Sequence, residues 1–261
     1  MRAVFTLCAR ELRSQVNSPI AWTVGGGFLL LAGYFFFNLV SQYSVMLSNY
    51  AVYAQISQNP ALLERVSLNE IVIGNLFRNL LVLFLFLIPV LTMRSFAEER
   101  KQGTDELLLT APVGAGEIVA GKYLGIVSVA LTMVLGSGIF VLVLLLYGNP
   151  EPGPVWTGLL GLSLAAMALV ALGMAVSAAT DSQVVAGVGS FVLFLMLFVV
   201  DWPAESVGGG TAKVLKALSL PERFDAFGKG LISSPDVVYY LSLTALGLFT
   251  GRAILSSQRW R

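Results

Sequence analysis

The chain has 261 residues, of which 56% are apolar and only 12% charged, and its mean hydropathy is +0.81. That charge share is about half of what a soluble domain carries, and a water-soluble fold of this size has no core large enough for so much apolar surface. A formal net charge of +1 offers no basic face for nucleic acid. Cys8 is the single cysteine and histidine is absent, which excludes an internal disulfide, thiolate zinc clusters and every histidine-based catalytic arrangement.

What remains is an all-α polytopic membrane protein, with the lipid bilayer as its solvent. At the start, Val4, Phe5, Cys8, Leu12 and Val16 share one helical face, and Thr6, Arg10, Arg13 and Asn17 share the opposite one. This pattern predicts a helix over 1–18 lying in the membrane interface; an extension of the first span into the cytoplasm is the alternative. Asn17-Ser18-Pro19 then breaks the helix. Arg2 precedes an apolar run that begins only near Ile20, with no small-residue cleavage site after it, so the segment is expected to be retained.

Six apolar stretches follow, at 20–40, 71–93, 123–147, 155–179, 183–200 and 237–255. Each has the ~18–25 residues needed to cross a hydrocarbon layer. No soluble domain fits between them, so 1–261 reads as one transmembrane domain. With the N-terminus inside, ten of the 16 Lys and Arg residues fall on cytoplasmic segments, which places both termini in the cytoplasm.

Asn75, Arg78 and Asn79 interrupt the second stretch. Arg78 lies about 22 Å along the helix from its inner end, near the outer boundary. It either snorkels to the headgroups or, with Asn75 and Asn79, forms the polar mouth of a pathway.

The outer segment 41–70 is polar and expected to be partly helical. Segment 201–236 begins with Asp201-Trp202-Pro203 and a Gly208-Gly209-Gly210 hinge, then carries Val214, Leu215, Leu218, Phe224, Phe227, Leu231 and Ile232 at loosely helical spacing. This predicts re-entrant outer helices between spans five and six, with a structured outer loop as the competing reading. Gly125, Gly136, Gly138, Gly158, Gly161, Gly173, Gly187 and Gly189 predict close helix approach.

Between spans two and three, at 94–113, lies a stretch far more charged than its surroundings. Ser95 and Glu98 have the spacing of a capping box. Thr104, Asp105 and Glu106 form a second helix start, with Gly103 between the two pieces and Pro112 ending the second. A short, kinked helical pair is expected beneath the cytoplasmic membrane face.

Gly116 to Lys122 imitates a phosphate loop, but Tyr123 stands where Ser or Thr must hold magnesium, and no strand precedes it. Nucleotide binding by this chain is therefore not expected, and Lys122 reads as a membrane-boundary residue. Asp181 reads as a turn residue. An ion-driven secondary transporter needs acidic residues or broken helices near mid-membrane, of which the spans carry almost none. An intramembrane enzyme would need carboxylate pairs that are equally missing.

The segment Ser95-Phe96-Ala97-Glu98-Glu99-Arg100-Lys101-Gln102-Gly103-Thr104-Asp105-Glu106-Leu107-Leu108-Leu109-Thr110-Ala111-Pro112-Val113 resembles the signature of ABC-2 type permeases of ATP-binding-cassette transporters. Arg10-Glu11-Leu12 through Ser18-Pro19-Ile20 is similar to that family's N-terminal interfacial helix. Phe224-Asp225-Ala226-Phe227-Gly228-Lys229-Gly230-Leu231-Ile232, Asp236 to Ser242, and Arg259-Trp260-Arg261 resemble the gliding-motility-associated (Gld-type) subfamily.

The resemblance implies a six-span permease subunit of the bacterial inner membrane. It implies coupling to a separate ABC ATP-binding subunit through Phe96, Glu98, Glu99, Arg100, Gly103, Thr104, Asp105, Glu106 and Leu107. Its further partners would be a second permease copy or related subunit, and an auxiliary subunit with a periplasmic domain. ATP and magnesium would sit in the partner, with no cofactor in this chain. Substrate movement is the implied activity; a scaffold doing mechanical work on a periplasmic partner, or a secondary transporter, is the alternative.

Overall fold

The computed structural model describes residues 2–58, 67–103, 113–148 and 150–258, and among these every regular element is helical. The order is α1 (Arg2–Asn17), α2 (Pro19–Ser57), a π-helical turn (Asn69–Gly74) running into α3 (Asn75–Thr92), α4 (Ala97–Lys101) and α5 (Ala115–Tyr147). Then come α6 (Pro152–Ala178), α7 (Gln183–Val199), α8 (Ala204–Val207), α9 (Gly209–Leu218), α10 (Leu220–Gly228) and α11 (Ser234–Gln258). The stretches containing α2, α3, α5, α6 and α11 are long and apolar enough to cross a membrane, and α7 is an apolar helix of 17 residues.

Local signals set the helix ends. Ser18 Oγ accepts from the Ile20 amide with Pro19 in the first turn, so α1 stops and α2 starts within two residues. At α5, Glu117 Oε2 accepts from the Gly114 amide. The helix expected within 41–70 is continuous with the first span: α2 runs 17 residues past the predicted span end at 40, giving 39 residues, or about 58 Å at 1.5 Å per residue. That is nearly twice the ~30 Å hydrocarbon thickness. Segment 41–57 is polar but contains no helix breaker, so nothing ends the helix at the apolar boundary.

Where Asn75 interrupts the apolar stretch, the helix changes type. The π-turn shifts the backbone ladder, and Asn75 Nδ2 donates to the carbonyls of Ile71 (3.0 Å) and Glu70 (3.3 Å).

α6 is the central post. It packs against α3, α5, α7, α10 and α11. Its glycines make this possible, since association in lipid depends on close packing rather than on water expulsion. A Cβ at Gly158 would lie 2.3 Å from the Phe77 ring, at Gly161 2.7 Å from Phe227, and at Gly173 2.4 Å from Thr92 Oγ1. On α11, a Cβ at Gly247 would lie 2.6 Å from the Ala171 carbonyl carbon. Gly125 is likewise a contact glycine, whereas Gly138 faces open space. Stacked Phe28 and Phe84, with ring centres 5.3 Å apart, join α2 to α3.

α8 to α10 cluster at the end of the bundle away from α1, on a backbone with positive φ at Gly208 and Gly209 (63° and 65°). α10 reaches well along α6. Phe227 rests on Gly161, about 13 Å from the start of α6, and Thr157 Oγ1 donates to the Phe227 carbonyl (2.7 Å). Tyr240 and Tyr239 donate to the carbonyls of Leu220 (3.1 Å) and Leu218 (2.6 Å), and Arg223 pairs with Asp236 (3.0 Å). The Tyr239 bond satisfies a carbonyl that the end of α9 leaves open.

Candidate coupling site at the base of the bundle

α1, α4, the start of α5, the end of α6 and the end of α11 meet at one end of the bundle. α1 lies against α5 because that helix begins with a groove. A Cβ at Gly121 would sit 2.6 Å from Leu7 Cβ, and one at Gly125 would sit 2.7 Å from Glu11 Cβ. The seam therefore runs along Val4, Leu7, Cys8 and Glu11, and so along one edge of the predicted apolar face, to which Val4 and Cys8 belong. Phe5 and Val16, on that face, stay 69% and 51% exposed. The phosphate-loop imitation is helical, and its Gly121 is the seat of Leu7.

α4 is only five residues long and is held from both sides. On one side, Ser177 Oγ of α6 accepts from the amides of Phe96 and Ala97 (both 3.2 Å) and donates to the Met93 carbonyl (3.1 Å). This buried hydroxyl caps α4 from another helix. The expected Ser95–Glu98 capping box is not formed: Ser95 Oγ is buried without a hydrogen-bond partner, and Glu98 turns to Arg94 instead. A bidentate pair with a guanidinium at 2.6 and 2.7 Å is stronger than a bond to a neutral amide. That hydrogen-bonded guanidinium holds the Glu98 carboxyl below the usual carboxylate range, against the opposing effect of burial, and Arg94 is pushed up in turn.

Arg100 closes the same side. It donates to the Ala178 carbonyl (2.5 Å) and to Gln258 Oε1 at the end of α11, and it pairs with Asp181 (3.2 Å). Asp181 thus does more than shape a turn.

On the other side stands Lys122, whose side chain is 3% exposed. Its ammonium donates to the Ser95 carbonyl (2.6 Å), pairs with Glu99 (2.9 Å) and Glu11 (3.5 Å), and lies 5.2 Å from the centre of the Phe96 ring. Glu99 also receives Arg10 of α1 (2.9 Å). Lys122 is turned into the protein. A polar cavity of about 270 Å³ opens beside it between α1 and α4.

Five of the predicted coupling residues are therefore described. Phe96, Glu98, Glu99 and Arg100 are built into this junction, while Gly103 takes the left-handed conformation (φ 67°) just past α4 and is exposed with Lys101 and Gln102. Thr104, Asp105, Glu106 and Leu107 lie outside the described residues. Ser177 gave no sequence signal, being one serine in an apolar helix. The Arg94–Glu98 spacing of four did give one. Among the described residues, no group of histidine, cysteine or carboxylate side chains could hold a metal ion.

At the opposite end, Asn75 and Asn79 flank Arg78, and Arg78, half exposed, pairs with Asp225 of α10 at 2.6 Å. The two residues lie 147 positions apart, beyond any local pattern. A cavity of about 140 Å³ adjoins the pair, lined also by Glu70, Gly74 and Lys229.

The all-helical fold with its long apolar helices agrees with what comparison with known families finds: a model described as ABC-2 family transporter protein matches residues 5–223. The chain belongs to the ABC-2 transporter family. The match takes in α1, α4 and α5 to α9, and so the whole junction except the end of α11. It stops before Phe224, where the patches resembling the Gld-type subfamily begin. No curated protein matches the chain. As an ABC-2 family member with at least five spans, it is a multi-pass membrane protein of the ABC transporter class, in the position of the membrane subunit.

Proposed function

We propose that this chain is the transmembrane permease subunit of an ABC-2 type complex in a bacterial inner membrane. It couples ATP hydrolysis by a separate ATP-binding subunit to substrate movement. In this reading α7 is the sixth crossing, both chain ends are cytoplasmic, and α8 to α10 are re-entrant helices of the outer leaflet, with Asn75, Arg78 and Asn79 at the pathway mouth. The partner ATPase holds ATP and magnesium and docks on α4 and on residues 103–107. A second permease copy or related subunit completes the pathway. Within the Gld-type subfamily an auxiliary subunit adds the periplasmic domain.

One observation carries the reading. A five-residue charged helix is fastened to α1 and α5 on one side and to α6 and α11 on the other. Force applied to so short an element reaches four helices directly. A solvated loop would have no use for a buried lysine and a buried serine as anchors.

The test is purification in detergent, identification of co-purifying subunits and an ATPase assay of the complex. Charge reversal at Glu98 and Glu99 is expected to leave insertion intact, weaken recovery of the ATPase and abolish its coupled activity. At Glu99, for instance, it sets a third cation beside Lys122 and Arg10. Full recovery and activity in that variant would remove α4 from the coupling path.

A further inference from the structure

The two fastenings of α4 differ in kind. Toward α6 they are directional bonds: Ser177 with two amides and a carbonyl, and Arg100 with the Ala178 carbonyl. Toward α1 and α5 they are ion pairs with alternative partners, beside one hydrogen bond from Lys122 to the Ser95 carbonyl. The Lys122 ammonium has three protons and three acceptors, and its two carboxylates come from different elements, Glu99 from α4 and Glu11 from α1. Glu99 is the nearer at 2.9 Å and Glu11 the farther at 3.5 Å.

A buried ammonium left without a counter-charge is strongly disfavoured, so any displacement of α4 would be blocked if Glu99 were its sole carboxylate. Glu11 removes that block, because it sits on α1, which packs directly on α5 through the glycine seam at Gly121 and Gly125. Arg10, also on α1, steadies Glu99 in the resting arrangement.

We propose that Lys122 is the positioning residue of the coupling region. When α4 is displaced together with α6, the ammonium passes from Glu99 to Glu11, and α1 with α5 remains a unit against which α4 and α6 slide. This rests on the coupling role proposed above. It assigns Lys122 and Glu11, neither of which faces the docking surface, a part in the motion.

The experiment uses the assembled complex with its ATP-binding subunit in a Cys8→Ser chain. Spin labels at Arg13→Cys on α1 and Ser182→Cys beside Asp181 report the distance between the two units, without nucleotide and with ATP and magnesium. ATP is expected to shift that distance in the otherwise unsubstituted chain. Glu11→Gln removes the receiving carboxylate, and the shift is expected to be lost although the complex still assembles. Glu99→Gln leaves Lys122 on Glu11, and its nucleotide-free distance is expected to move toward the ATP-bound value.

A Glu11→Gln complex that shifts like the parent overturns the hand-over while leaving the coupling reading intact. Where Glu11→Gln fails to assemble, a Glu99→Gln resting distance equal to the parent's overturns it instead. No ATP-dependent shift in the parent chain defeats the coupling reading itself, and the hand-over with it.

Discussion

Single side chains at the base decide whether α4 has a fixed place. Ser177 satisfies two buried amides and a partly buried carbonyl, from a helix 80 residues away in sequence. Ser177→Ala leaves those groups unpaired and is expected to cost about 1–3 kcal/mol. A lowered melting temperature in detergent and faster hydrogen exchange at Phe96 and Ala97 would register it. Glu98 gives a second prediction, with its sign fixed by the lowered carboxyl. A group whose pKa falls on folding adds stability above its unfolded value and loses it as pH drops through the folded one. The stability difference between the parent and Glu98→Gln should therefore hold from about pH 7 to about pH 5 and shrink only below about pH 4. A difference that vanished nearer neutrality would show that Arg94 does not hold Glu98 in solution. At this scale the sequence carried the charged segment, but not its pairings. Arg94 and Glu98 could be read from a spacing of four; Lys122 with Ser95, or Arg78 with Asp225, join residues that only the fold brings together.

Elements meet here through missing side chains. On α1, contact with α5 depends on Gly121 and Gly125, whose added Cβ atoms would strike Leu7 and Glu11 at Cβ, where no rotamer can yield. Gly125→Ala is expected to lift α1 at a cost of about 1–3 kcal/mol. Faster tryptic cleavage after Arg13 would report the lifting. Gly247→Ala meets backbone of α6 at 2.6 Å, so both helices must part. A larger loss of folded protein than at Gly125, read as monodisperse yield in detergent, is expected. Unchanged yield would deny the α6–α11 seam. Spans were legible because an apolar run of ~20 residues has few other uses in a chain this poor in charge. Helix within 41–70 was expected, but not its unbroken continuity with the first span, since polarity marks where lipid ends but does not stop a helix. The seam of α1 on α5 was not legible either: a hydrophobic face shows what avoids water, while the glycine groove that seats Leu7 and Glu11 lies on another helix.

For the whole molecule, the contacts fix a simple order. α1, α4, the start of α5, the end of α6 and the end of α11 share one end, and α8 to α10 with Arg78 occupy the other. α10 is fastened to α3, α6 and α11, so a displacement at the base has a rigid path through α6 to the far end. The family and the base-to-far-end arrangement could be read early because the charged segment and the six apolar runs are both local patterns. The partner's contact surface could not, because it depends on which charges the fold has already consumed. Of the described residues of that segment, Lys101, Gln102 and Gly103 are the exposed ones. The most direct measurement is therefore a photo-crosslinking amino acid at Gln102 in native membranes. The account predicts a covalent adduct between this chain and an ATP-binding subunit, formed from the cytoplasmic side. An adduct only to lipid, or labelling of position 102 from the outer face, would contradict it.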